Sequence, residues 1–216
     1  MALFTPQSFE PVMAALFAQL VSAAQIGFTA DATNTSPVLT SVSSVAGLFA
    51  GLPVFGPGAV TGATVQAFDA VARTVTLSDA LTEDASAGSF QTGFLTTGRR
   101  VQHWSEVTEQ PALFLRRLGS EDHYSGEMPI TELECEVWIY SKAGDDPDAI
   151  PDQALSNLDF MVRQAFTPDA WGDYVRNTLD ALVYWARIQG RSDYAPGDQG
   201  GQGISRIPVR ITLQPQ

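Results

Sequence analysis

Three glutamates stand at alternate positions in this sequence, Glu132, Glu134 and Glu136. Alternate spacing places all three on one face of a β-strand. Stacked carboxylates repel one another, so a role other than stability is expected to keep them there. The row reads as the solubilising face of an acidic protein, or as a surface that must not stick to a polyanion. A second carboxylate pair, Glu121 and Glu127, has the residue types of a glycan hydrolase, which needs one carboxyl with a raised pKa in a cleft. The two histidines, His103 and His123, sit among acids, but neither has metal-ligand spacing of the HExxH or CxxC kind, and both read as exposed loop residues.

Other signatures fail on their spacing. There is no G-x-S-x-G elbow. Gly56–Gly62 is glycine-rich but misses G-x-G-x-x-G, and no Lys-Ser/Thr follows it; Gly200-Gly201-Gln-Gly203 fails in the same way. Asp145-Asp146-Pro-Asp148 lacks the glycine and the closing glutamate of a calcium loop. No cofactor, metal or catalytic set is expected, which favours a structural or assembly role over an enzyme.

The glutamates need a strand to carry them, and Met128–Lys142 supplies it. Thr131, Leu133, Cys135, Val137 and Ile139 alternate with Glu132, Glu134, Glu136, Trp138 and Tyr140. A one-residue slip would bury the three carboxylates, so the register is well specified. Residues 5–25 read as a helix, with Thr5 as cap, Pro6 in the first turn, an apolar stripe of Phe9, Val12, Met13, Leu16, Phe17 and Leu20, and Gly27 as its end. Residues 151–166 read as a second helix, with Leu155, Leu158, Val162, Ala165 and Phe166 on one side. Further strands are expected at Arg99–Val107, Pro111–Leu118, Thr178–Gln189 and Ile204–Gln214. Glu121–Glu127 reads as a loop, as does Gly190–Gly203. In the last strand Ser205, Ile207, Val209, Ile211 and Leu213 alternate with Arg206, Pro208, Arg210 and Thr212. Pro208 lacks a ladder donor, so an edge position or a bulge is expected.

Between residues 32 and 92 the composition shifts. Asp69, Arg73, Asp79, Glu83 and Asp84 are the only charges, and short β-type runs alternate with turn signals. This reads as a small all-β module inserted into a host made of residues 1–31 and 93–216. At roughly 60 residues it should lean on its host or on a partner. The expected fold is α+β: a two-layer antiparallel sheet with both helices on one face, the other face free for solvent or a partner, plus the small inserted all-β domain.

Charge and composition bound the partners. The 216 residues carry 24 acids against 12 bases, a net charge of −12, with no basic patch of the kind a free nucleic-acid binder shows. No run reaches the ~18 apolar residues of a membrane span, and no basic region precedes the first apolar stretch, so a soluble protein of a reducing cytoplasm is expected. The single cysteine, Cys135, reads as a buried core residue.

With residues 32–92 set aside, the order of segments resembles the tail terminator (tail completion) proteins of long-tailed bacteriophages. The matching pieces are the amphipathic N-terminal helix, Arg99-Arg100 followed by Glu109 and Gln110-Pro-Ala-Leu-Phe114, and the long strand ending Val137-Trp-Ile-Tyr140. They continue with the helix from Asn157-Leu-Asp159, then Thr178–Gly190, and a glycine-rich stretch running into Ile207–Ile211. Where that family often reads TLGG, this chain has Asp180-Ala181 after Leu179. The 32–92 segment looks like a β-rich module that recurs in virion proteins.

The resemblance implies a ring, usually a hexamer, that caps the tail tube, docks to the head–tail connector, and has a channel for double-stranded DNA. It implies a channel-facing place for Glu132, Glu134 and Glu136, where carboxylates would let phosphates slide past. It implies ring or tube contacts for Phe9, Phe17, Trp138, Arg206 and Arg210. A head–tail stopper or a tail tube subunit is the near alternative, and the glycan hydrolase the distant one.

Overall fold

The computed structural model describes residues 9–125, 128–142, 152–168, 176–196 and 202–213. The first helix, α1, runs Glu10–Ala23 with Pro11 in its first turn, where a missing N–H costs nothing. The expected cap at Thr5 and Pro6 lies outside the described residues. Val12, Met13, Leu16 and Leu20 are buried. Gly27 does not end the helix: it opens strand β1 (Gly27–Ala32) after a short turn closed by Gln25 N–H on the Ser22 carbonyl.

Strands β1, β2 (Val38–Leu39), β3 (Val54–Phe55), β4 (Val65–Asp69), β5 (Thr74–Leu77) and β6 (Ala85–Thr92) form two three-stranded antiparallel sheets, ordered β1-β6-β3 and β2-β5-β4. β1 pairs with β6 from Gly27 onward, ahead of the expected boundary at 32. These sheets have no separate core. Leu39, Leu52, Val75 and Phe90 belong to the same apolar cluster as Leu16 of α1 and Leu133 of the main sheet. Thr92 stitches the join, its hydroxyl donating to the Ala24 carbonyl and accepting from the Ile26 N–H, both at 3.1 Å. At Gly56 (φ +158°) a Cβ would fall 2.3 Å from the Phe90 ring, so glycine is required there.

The main sheet is built from β7 (Thr96–Gly98), β8 (Ala112–Ser125), β9 (Met128–Lys142), β10 (Trp185–Ile188), β11 (Asp193–Pro196) and β12 (Gln202–Thr212). Its order is β10-β12-β9-β8-β7, with β11 also on β12, and every pair is antiparallel except β7–β8. The second helix, α2 (Asp152–Gln164), and α1 both cover the face bearing Leu133, Cys135, Val137, Ile207, Val209 and Ile211. The Cys135 sulfur lies 3.6 Å from that of Met13. The fold is therefore α+β, with two helices on one face of a mostly antiparallel sheet.

Several expected elements are redrawn. The polar run after Leu118 is not a loop; β8 continues to Ser125, paired residue for residue with β9. No described element covers that end, where residues 121–124 are exposed, and no apolar alternation marks it. A bulge between Arg117 and Gly119 leaves Leu118 exposed. Arg99–Val107 is not a strand: the extended piece is β7, and Trp104–Glu106 forms a 3-10 turn. Thr178–Gln189 is a strand only from Trp185; before it, Leu179, Asp180 and Ala181 take left-handed φ values of 48°, 57° and 65°. The glycine-rich loop holds β11.

Pro208 is at neither an edge nor a bulge, because β12 is flanked by β9 on one side and by β10 and β11 on the other. Its carbonyl accepts from Gln189 N–H at 3.1 Å, so its nitrogen faces the same side, where β10 has ended and β11 has not begun. The ladder needs no donor at that point, and Gly190 fits against the ring, where a Cβ would come 3.0 Å from Pro208 Cγ.

Candidate functional site

The sheet face turned away from the helices carries Glu132, Glu134, Glu136 and Trp138 from β9, Arg206 and Arg210 from β12, and Arg187 from β10. Alternation puts them there, and register sets what each one meets. Arg210 lies opposite Glu134 and donates to it at 2.7 Å, while its other terminal nitrogen donates to Glu132 at 3.0 Å. Glu132 also accepts from the Thr212 hydroxyl at 3.2 Å and has Arg187 at 3.6 Å and His123 at 3.8 Å. Glu136 has Arg206 at 3.6 Å and accepts from the Trp138 indole at 3.1 Å. Arg206 also pairs with Asp193 of β11 and lies over the Trp138 ring, 5.8 Å from its centre.

The expectation of a bare, mutually repelling acidic row is therefore corrected. Each glutamate has an arginine from the next strand, and the side chains of Glu132 and Glu136 are only 15% and 13% exposed. Arg206 and Arg210, four residues apart on β12, become a basic row lying beside an acidic one only once the strands are in register. The face is also only partly free. Over its upper end Phe114, Tyr140, Val107 and Ala112 form a second small core, with Val101, Trp104, Trp138 and Ile204 packed around it. The Tyr140 hydroxyl donates to the Gln102 carbonyl at 2.9 Å, and burial pushes its pKa up.

Trp138, Arg206 and Arg210 are thus brought together with the three glutamates. Phe9 and Phe17 are not: they lie half-buried in the helix layer, Phe9 with Arg117 stacked 5.1 Å from its ring centre. Glu127 lies outside the described residues, and Glu121 is an exposed member of β8 facing Glu132 and His123. His103 is an exposed turn residue bonded to Ser105 at 2.7 Å. Among the described residues no group of three His, Cys, Asp or Glu side chains could hold a metal. Cys135 is buried, and burial pushes its thiol up to about 12, which keeps it from being a nucleophile.

One polar cluster carried a signal that the apolar stripe of α2 overshadowed. Asp159 falls between Leu158 and Val162, inside the buried face, with Arg163 one turn later. Its side chain is 7% exposed, and its carboxylate pairs with Arg163 and accepts from the buried Ser205 hydroxyl at 3.1 Å. Arg163 donates on to Ser192 at 2.6 Å. The cluster pins α2 to β12 and to the start of β11, so it reads as structural.

A scan against known protein families finds no match for this chain. A search of curated proteins finds none either.

Proposed function

We propose that this protein is a structural subunit that assembles into a ring at the end of a phage tail, capping the tube and joining it to the head connector. The observation that carries the reading is the sheet face opposite the helices, a ladder of paired glutamates and arginines beside Trp138 and Trp185 with no described element over its lower half. Aromatic residues and arginine are the side chains enriched where proteins meet. A second point agrees: the left-handed backbone at Asp180 and Ala181 falls where the tail terminator pattern carries two glycines, the residue that takes this conformation without strain.

On this reading the acidic row belongs to a seam between subunits rather than to a channel wall, because its carboxylates already have arginine partners. A near-neutral face neither grips phosphates as a basic groove does nor repels them as a bare acidic wall would. The test is mass photometry with negative-stain microscopy of the native protein and of Arg210→Glu, with folding of both checked by circular dichroism. A closed ring with a hole wide enough for duplex DNA, lost in a folded Arg210→Glu, is the expected result. Open-ended tubes would point to a tube subunit instead. A protein that stays monomeric at every concentration, alone and with its tube protein, would overturn the reading.

A further inference from the structure

Strand β11 brings no described side chain to either apolar core. None of residues 191–195 is buried, and Tyr194 is 44% exposed. Its neighbour on the same edge of β12, strand β10, buries Ala186 and packs Ile188 against the main core. Among the described residues β11 has one ladder partner, β12, over the pairs from Asp193–Arg206 to Pro196–Gly203. The Pro208 carbonyl turns to this side of β12, so by alternation Ile204 and Arg206 turn their backbone groups to β11.

What holds the strand besides that short ladder is polar, and it grips from both faces. On the outer face Asp193 pairs with Arg206, their side chains 49% and 42% exposed. On the helix face the grip starts at the buried Asp159. Its partner Arg163 donates to the Ser192 hydroxyl at 2.6 Å, and the Tyr194 hydroxyl hydrogen-bonds with both Asp159 and Arg163.

We propose that β11 is a charge-latched strap: it leaves β12 as a unit while the rest of the sheet stays folded, and its two polar latches set how often it does so. Apolar burial is what ties the opening of a strand to the opening of the whole fold, and β11 has none to lose. An exposed ion pair such as Arg206–Asp193 shifts an opening equilibrium at most roughly fivefold. It is screened once the Debye length falls to ~3 Å in ~1 M salt. The inner latch is better shielded, with Asp159 only 7% exposed, so salt loosens the outer one first. Release bares the N–H and C=O groups of Ile204 and Arg206 and leaves Arg206 with Glu136 and the Trp138 ring. On the ring reading, the strap decides whether Arg206 is engaged within its own chain or open to the next subunit. The opening itself does not rest on that reading.

Residue-resolved amide hydrogen exchange on the whole chain tests it. The reporters are Ala195, Ile204 and Arg206; the reference, in the same sample, is the β9–β12 ladder at Val137, Cys135, Ile207 and Val209. The reporters should exchange at least about tenfold faster than the reference. Raising NaCl from ~0.05 to ~1 M should speed them a further two- to fivefold or so, with the reference unmoved. Asp193→Asn, a surface change of the same shape, should give that acceleration already at low salt and abolish the salt response. Reporters and reference exchanging at one common rate would overturn the strap, because β11 would then open only with the whole sheet. Fast reporters that respond neither to salt nor to Asp193→Asn would overturn the charge latch. Either failure leaves the ring reading standing, since that reading is decided by the assembly state.

Discussion

Arg210 stands directly across the β12–β9 ladder from Glu134 and bonds to it at 2.7 Å, while reaching Glu132 two residues away at 3.0 Å. One cation thus serves two carboxylates that would otherwise repel each other. Replacing Arg210 with Gln should cost about 1–2 kcal/mol, since both carboxylates lose a charged donor and Glu132 is largely out of water. Urea unfolding of Arg210→Gln, Glu132→Gln and the double variant checks it. The double variant should be less destabilised than the two single effects added together.

Asp159 should matter more, because it is buried and holds two elements. Asp159→Ala removes the partner of Arg163 and of the Ser205 hydroxyl, which has no access to water. A loss of about 2–3 kcal/mol is expected from a buried, hydrogen-bonded carboxylate with one half-exposed partner. Hydrogen exchange should show faster opening at β11 than in the β9–β12 ladder, since Arg163 would no longer be held toward Ser192.

Ala181 sits at φ 65°, the last of three consecutive left-handed residues. Ala181→Gly relieves a conformation that costs a side-chain-bearing residue about 1–2 kcal/mol and adds about 0.5–1 kcal/mol of unfolded-state entropy. The balance is a gain of up to about 1 kcal/mol, read as a raised thermal midpoint. The Ala181 N–H bond to the Thr178 hydroxyl survives in the variant. A lowered midpoint would contradict the left-handed turn.

Asp31 gives the acid response a definite sign. Its carboxyl is held below the ordinary 3.8, first by the Ala87 N–H at 2.8 Å and then by the Ser41 hydroxyl. As pH falls, the unfolded chain takes up this proton before the folded chain does. The contribution of Asp31 is therefore whole above about pH 4 and is lost as pH drops through the lowered folded value. Asp31→Asn keeps an acceptor oxygen and removes the titration. Denaturation midpoints of the two proteins should differ near neutral pH and converge on acidification.

The parts legible in the sequence are those where one layer covers another. The alternation of Leu133, Cys135, Val137 and Ile139 marked β9, that of Ile207, Val209 and Ile211 marked β12, and Leu155, Leu158 and Val162 marked α2, because the helix–sheet core imposes each period. Among the described residues nothing covers the outer half of β8, so Glu121–Ser125 carries no apolar period and its sequence looks like a loop although it is ladder. The carboxylate row itself was plain at Glu132, Glu134 and Glu136. Its neutralisation was not, since the arginines lie more than 50 residues further along the chain.

Local pattern, then, was enough to determine which side chains of this protein share a face: two helices, a central strand, a closing strand and a β-rich stretch at residues 32–92. Those follow from period and composition, which act between near neighbours. Tertiary structure alone decided that Arg206, Arg210 and Arg187 meet the glutamates, that Pro208 rests in the gap between β10 and β11, and that the 32–92 strands share one core with α1 and the main sheet. Each of those depends on strand order and register. Backbone hydrogen bonds and apolar burial between distant segments set these, and no window of sequence contains both partners.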